Sequence, residues 1–154
     1  MDVMVLIGSE SDRSTIQKTA DILGEFGVIY EMHVASAHRT PDRTRDLVEE
    51  GEKAGVKIFI AAAGLAAHLA GFVAAHTERP VIGVPMEGGP LKGHDALLST
   101  VQMPGGIPVA TVAIGDAGAK NAALLAIRIL ALNDADLAKK HTAYLKQMAA
   151  QIGG

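Results

Sequence analysis

One segment of the chain combines side chains suited to anion binding and to proton transfer. Ser36, His38 and Arg39 lie close together just after an apolar run, and Thr40 and Pro41 follow them. A guanidinium binds a phosphate through two parallel N–H groups, and a serine hydroxyl adds a further donor. Histidine is the most common general acid or base in enzymes, although an isolated histidine is more often structural. Because anion-binding residues flank it, His38 is the candidate proton carrier.

A second polar segment, Gly8–Asp12, follows the first apolar run of the chain. A helix that begins there would offer free N–H groups and a positive end to an anion, and Ser9 and Ser11 add neutral donors. Asp12 would repel a phosphate, whereas its carboxylate is a natural acceptor for two adjacent ribose hydroxyls. Ser11 and Asp12 are also common residues at a helix N-cap, so a purely structural role is the alternative.

The third segment, Ala63–Leu69, consists almost entirely of small residues and contains His68. Small residues such as Gly64 let a ligand approach the backbone closely, but they also let helices pack closely. The pattern alone therefore leaves the role of His68 open. The sequence has no cysteine, no histidine pair at metal-ligand spacing, no dinucleotide-binding fingerprint and no Walker sequence. We therefore expect neither a metal nor a cofactor.

The elements that must position these segments alternate between strands and helices. The predicted strands are residues 3–8, 28–34, 56–63, 81–85 and 109–114, and the predicted helices cover about 16–26, 41–55, 66–76, 117–132 and 134–152. Thr40 is the expected cap of the second helix, with Pro41 in its first turn. Strands that are apolar throughout indicate a parallel sheet covered by helices on both faces. All three polar segments follow a strand, so they should meet at the carboxyl edge of the sheet.

Composition limits the function classes. A chain of 154 residues predicts one domain, residues 1–154, and a mean hydropathy of +0.24 with 49% hydrophobic residues predicts a homo-oligomer. A net charge of −3 without a basic run argues against a nucleic-acid surface. The first apolar run has six residues, too few for a signal-peptide core or a membrane span, so we expect no membrane partner and a cytoplasmic location.

Five motifs occur in order along nearly the whole chain: GSESD, SAHRTP, AAHLAG, VQMPGGIPVATVAIG and KNAALLA. Together they closely resemble the PurE family of carboxyaminoimidazole ribonucleotide mutases and related aminoimidazole ribonucleotide carboxylases. The resemblance implies a three-layer α/β sandwich with a central parallel sheet, of the flavodoxin-like or Rossmann-like type. It also implies an octamer with active sites at subunit contacts, and a reaction that needs no metal, biotin or ATP.

The resemblance assigns a role to each polar segment. His38 is implied as the proton-transfer residue, Asp12 as the ribose ligand, and His68 as a residue lining the imidazole and carboxylate pocket beside Gly64. The phosphate-binding positions implied by the family are Ser9, Ser11, Ser36 and Arg39.

Two chemistries occur in the family. Mutases release a carbamate as CO2 and recapture it at ring carbon C4, whereas direct carboxylases use free CO2. Arg39 and the AAHL sequence favour the mutase. Departures from the mutase pattern are Leu65, Ala70 and the segment 87–92, and Leu65 should narrow the pocket. The alternatives are the direct carboxylase and, from another class, a non-catalytic nucleotide-binding module, because a fold does not fix a function.

Overall fold

The computed structural model describes residues 1–152 and contains one five-stranded parallel sheet with strand order β2-β1-β3-β4-β5. The strands are β1 (Val3–Ile7), β2 (Tyr30–Val34), β3 (Ile58–Ala63), β4 (Val81–Pro85) and β5 (Ala110–Thr111). The α-helices are α1 (Arg13–Phe26), α2 (Pro41–Lys53), α3 (Leu69–Ala74), α4 (His94–Val101), α5 (Gly115–Leu130) and α6 (Ala135–Ile152), and a short 3-10 helix covers Glu10–Asp12.

The sheet separates two apolar cores, one on each face. Alternate residues of β1 point to opposite faces, so Val5 packs with α1 and α5, whereas Leu6 packs with α2 and α3. Because both faces are covered, every residue of β1 and β4 is buried. Only one residue of β3, at its carboxyl end, is partly accessible. The predicted three-layer α/β architecture is therefore confirmed, and the continuous apolar runs reflect helices on both sides of the sheet.

The edge strands differ from the central ones. In β2, Glu31 is exposed and the other four residues are only partly buried, and the strand begins at Tyr30 rather than at residue 28. At the other edge β5 has two residues instead of the predicted six, because only Ala110 and Thr111 pair with β4. An edge strand has one neighbour to specify its length, so apolar composition alone overestimated both strands.

Several helices also differ from expectation, and α1 and α5 each begin two to three residues before the predicted start. Helix α3 starts at Leu69 rather than residue 66, because the preceding residues form a loop in which Leu65 has a left-handed backbone with φ of 55°. Thr40 occupies the N-cap of α2, but its side chain accepts from the backbone N–H of Ser36 instead of capping the helix. Helix α4 lies in a part of the chain for which the sequence predicts no helix.

The C-terminal helix predicted over 134–152 is present as α6, and Asp134 caps it by accepting from the backbone N–H of Leu137 at 2.9 Å. The predicted domain extends to residue 154, and residues 153–154 lie outside the described residues. Within residues 1–152, no helix is both long enough and apolar enough to cross a membrane.

Candidate active site at the carboxyl edge of the sheet

A cavity of about 620 Å³ opens at the carboxyl edge of the sheet, between the loops that follow β1, β2, β3 and β4. The chain runs from β1 to β2 on one side and then returns to β3 on the other, so loops diverge between β1 and β3. Such a switch point is where open parallel sheets bind ligands. All eight residues singled out from the sequence line this cavity: Ser9, Ser11, Asp12, Ser36, His38, Arg39, Gly64 and His68.

Arg39 is held in place by two neighbours on the loops after β1 and β2. Its Nη2 donates to the backbone oxygen of Gly8 at 3.0 Å, and its Nε donates to Ser36 Oγ at 3.3 Å. The backbone N–H of Arg39 also donates to Ser36 Oγ, at 3.2 Å. The Ser36 hydroxyl proton and the rest of the guanidinium's N–H groups are left to face a ligand. This end of the cavity suits an anion such as a phosphate.

The loop after β1 forms a single turn of 3-10 helix before α1 begins. Ser9 is the N-cap of this turn, and its Oγ accepts from the backbone N–H of Ser11 at 3.3 Å and from Ser11 Oγ at 2.9 Å. Asp12 precedes α1 without capping it, so its carboxylate is not used by the helix. The capping side chain is therefore that of Ser9 and not that of Ser11 or Asp12, and all three residues line the cavity. Partial burial raises the pKa of the Asp12 carboxyl above its ordinary value.

Two histidines face each other across the cavity. The rings of His38 and His68 have centroids 5.0 Å apart with an interplanar angle of 35°. His68 is further positioned by the edge of Phe72, whose ring centroid lies 5.8 Å away. His38 comes from the loop after β2 and His68 from the loop after β3, so the contact between the two rings joins these loops. Imidazoles so placed can give or take a proton at a bound ring.

The other end of the cavity belongs to the loops after β3 and β4. Leu65 and the segment 87–89 line it, and the backbone N–H of Met86 donates to the oxygen of Ala63 at 2.9 Å, which ties the two loops together at their base. Four further lining residues belong to the segments that the sequence singled out but were given no role there, because small or apolar side chains carry no chemical signal: Ala37, Ala63, Ala66 and Leu69.

Comparison with known proteins decides the family. The family model described as AIR carboxylase matches residues 2–151. The chain belongs to this family. Among its relatives, the N5-carboxyaminoimidazole ribonucleotide mutase of Bacillus subtilis is 54% identical over 90% of this chain and 85% of the relative. That of Saccharolobus solfataricus is 52% identical over 97% and 94%. The crystal structure of Treponema denticola PurE has a TM-score of 0.89 at 34% identity, covering 97% of this chain and 92% of that one.

This AIR carboxylase family member has a second cavity, of about 440 Å³, at the opposite edge of the sheet, where Asp2, Lys57 and Lys140 line it. The lysines there are already engaged, because Lys57 pairs with Asp2 at 2.9 Å and Lys140 donates to the backbone oxygen of Phe26 at 3.1 Å. Among residues 1–152, no group of three or more histidine, aspartate or glutamate side chains is arranged to hold a metal ion.

Proposed function

We propose that this enzyme is an N5-carboxyaminoimidazole ribonucleotide mutase of purine biosynthesis. The observation that carries the proposal is the convergence of an anchored arginine, a free aspartate and two facing histidines in one cavity. The relatives' names support it, since mutases are 47–56% identical to this chain. The two alternatives, a direct carboxylase and a non-catalytic module, are less well supported by these names.

In the proposed binding mode, Arg39 and Ser36 hold the nucleotide phosphate together with Ser9 and Ser11. The Ser11 hydroxyl, which donates to Ser9 Oγ in the structure, would rotate toward the phosphate. Asp12 accepts from the ribose hydroxyls. The base then extends toward His68 and the backbone at Gly64 on the loop after β3, where the ring of His38 contacts that of His68.

The proposed chemistry uses His38 as both acid and base. The C–N bond of the carbamate breaks, its electron pair stays on nitrogen, and protonated His38 supplies the proton that completes the amine. The CO2 released is attacked by ring carbon C4, which forms the new C–C bond. Neutral His38 then removes the C4 proton and restores the aromatic ring, so the histidine ends as it began. His68 lines the region where the carboxylate moves.

We further propose a homo-octamer with CO2 and the ribonucleotide as its small-molecule partners, acting in the cytoplasm without a cofactor. The exposed positions of His38, Arg39 and His68 in the single chain suit a site that a neighbouring subunit helps to enclose. The exposed Leu98, at 60%, suits a subunit contact.

The deciding experiment follows the conversion of two substrates by the change in ultraviolet absorbance. Freshly made carbamate should be converted at low bicarbonate, and aminoimidazole ribonucleotide with moderate bicarbonate should not. His38→Asn should lower kcat by about 10²–10⁴-fold and leave nucleotide binding, measured by calorimetry, unchanged. His141→Asn, which changes a histidine on α6 outside the cavity, is the matched control. Turnover of only the free amine would favour the carboxylase, and unaltered turnover in His38→Asn would refute the proton carrier.

A further inference from the structure

Leu65 combines two features that are unusual for a leucine. Its backbone φ is 55°, a left-handed conformation that a bulky side chain rarely adopts. Its side chain is also 54% exposed, so packing in the core does not explain the strain. Strained residues of this kind concentrate at functional sites, where the surrounding structure holds them in place. Leu65 lines the active-site cavity, so its strained backbone lies at a functional site.

The side chain of Leu65 reaches across to the loop that follows β4. A Cβ atom built on Gly89 would lie 2.6 Å from Leu65 Cδ2, so the leucine rests directly on the glycine backbone. Gly89 itself has a φ of 61°, and any larger residue there would meet both backbone strain and this leucine. The contact therefore joins two loops whose bases are already linked by the Met86 to Ala63 hydrogen bond.

This contact lies at the end of the cavity away from the Arg39 anion site. Along the sheet edge the loops follow the strand order, with Arg39 after β2 at one end and Gly89 after β4 at the other. A nucleotide whose phosphate is at Arg39 would direct its base toward the β3–β4 end. The apolar side chain of Leu65 would then adjoin the carbamate carbon, beyond the two histidines.

We propose that Leu65, resting on Gly89, is a positioning residue that retains CO2 between its release from nitrogen and its capture by C4. The proposal rests on the mutase function given above. CO2 is neutral and apolar, so charged phosphate ligands cannot hold it, whereas an apolar cover excludes water and blocks its exit. Each turnover then divides between capture by C4 and escape to solvent, and Leu65 shifts that division toward capture.

The test follows the fate of a ¹³C label placed in the carboxylate of the carbamate. The reaction runs in excess unlabelled bicarbonate with carbonic anhydrase, so that any CO2 that escapes is diluted. In the wild type most product should keep the label. Leu65→Ala, which keeps the left-handed backbone but removes the cover, should raise the fraction of turnovers that lose the label by about tenfold, and free amine should accumulate. Leu65→Met, which restores an apolar side chain of similar reach, should recover retention.

Leu132→Ala is the matched control, because it makes the same exchange at a leucine that is 81% exposed and outside the cavity. Leu65→Gly, which removes the backbone strain as well, serves if the alanine variant does not fold. Folded Leu65 variants that keep the label as well as the wild type would overturn the inference while leaving the mutase intact. A wild type that converts no carbamate would instead refute the mutase, and the inference with it.

Discussion

The two charged residues of the proposed nucleotide site, Arg39 and Asp12, differ in how the folded chain holds them. Arg39 is fixed before any ligand arrives, since Gly8 and Ser36 use part of its hydrogen-bonding capacity to set its orientation. Fixing a long side chain in advance removes an entropic penalty from binding. Asp12 has no such partner, and partial burial opposes its ionisation, which is why its pKa is raised. A ribose that donates to its carboxylate would supply the missing partner.

Because its pKa is raised, ionised Asp12 lowers the stability of the folded, ligand-free protein. Because the folded chain holds the proton more tightly than the unfolded chain, stability is lost as the pH rises from the ordinary value of 3.8 to the raised one. Asp12→Asn does not titrate, so its Tm should exceed that of the wild type by about 1–2 °C at pH 7. The difference should vanish below pH 3.8, as thermal scans across pH would show.

The same substitution should harm binding, because an amide is a weaker acceptor for the two ribose hydroxyls. We expect an increase in Kd of about tenfold or more for the ribonucleotide, measured by calorimetry at pH 7. Asp21→Asn, an exposed acid on α1 outside the cavity, is the control. A variant at position 12 that binds as tightly as the wild type would remove Asp12 from the ribose site.

At the scale of elements, the sequence was enough to predict that three polar segments meet at one edge of the sheet. Apolar runs located β1, β3 and β4 because helices cover both faces of these strands, and the polar segments after β1, β2 and β3 followed from the rule for parallel sheets. The prediction could not include the Leu65 contact with Gly89, since it joins loops from different strands and depends on two left-handed backbones. No local sequence pattern encodes a contact between two such loops.

Helix α4 shows a second limit of local patterns. Its buried residues are Ala96 and Thr100, one small and one polar, so the face that packs on the sheet lacks the large apolar residues that mark a helix. Thr100 can be buried because its Oγ1 donates to the backbone oxygen of Ala96 at 2.7 Å. The larger apolar residues, Leu98 and Val101, point outward instead. The helix is thus specified by tertiary contacts more than by its own periodicity.

Close packing at the start of α5 yields a prediction for stability. A Cβ on Gly118 would lie 1.7 Å from the backbone oxygen of Ala113, in the segment that leads from β5 into α5. Gly118→Ala should therefore lower the free energy of unfolding by about 3 kcal/mol, measured by urea denaturation, because backbone must move to admit the methyl group. Gly24→Ala, in α1 where a Cβ meets nothing within 4 Å, should instead stabilise the protein by about 0.5 kcal/mol. Equal effects of the two changes would contradict this account of the packing.

At the scale of the whole molecule, apolar surface remains on the outer side of the fold. Leu98 and Val101 are one helical turn apart on α4, and they are 60% and 46% exposed. Ile107 and Leu91, on either side of this helix in sequence, are 38% and 58% exposed. Large aliphatic side chains exposed on a single chain are typical of surfaces that another chain covers. Contact between copies of the chain would bury them and bring a neighbour toward the open cavity.

The assembly makes a prediction that light scattering coupled to size-exclusion chromatography can check. An octamer would have a mass of about 127 kDa, since one chain has a mass of 15.9 kDa. Leu98→Glu should shift the protein to smaller species, because the free-energy cost of burying an unpaired carboxylate exceeds the stabilisation from the remaining subunit contact. Leu98→Met keeps an apolar side chain and should preserve the wild-type mass.

If the site is completed by a neighbouring subunit, Leu98→Glu should also lose turnover in proportion to the dissociated fraction, although Leu98 does not line the cavity. A dissociated Leu98→Glu protein with full activity would show that one chain holds the entire active site.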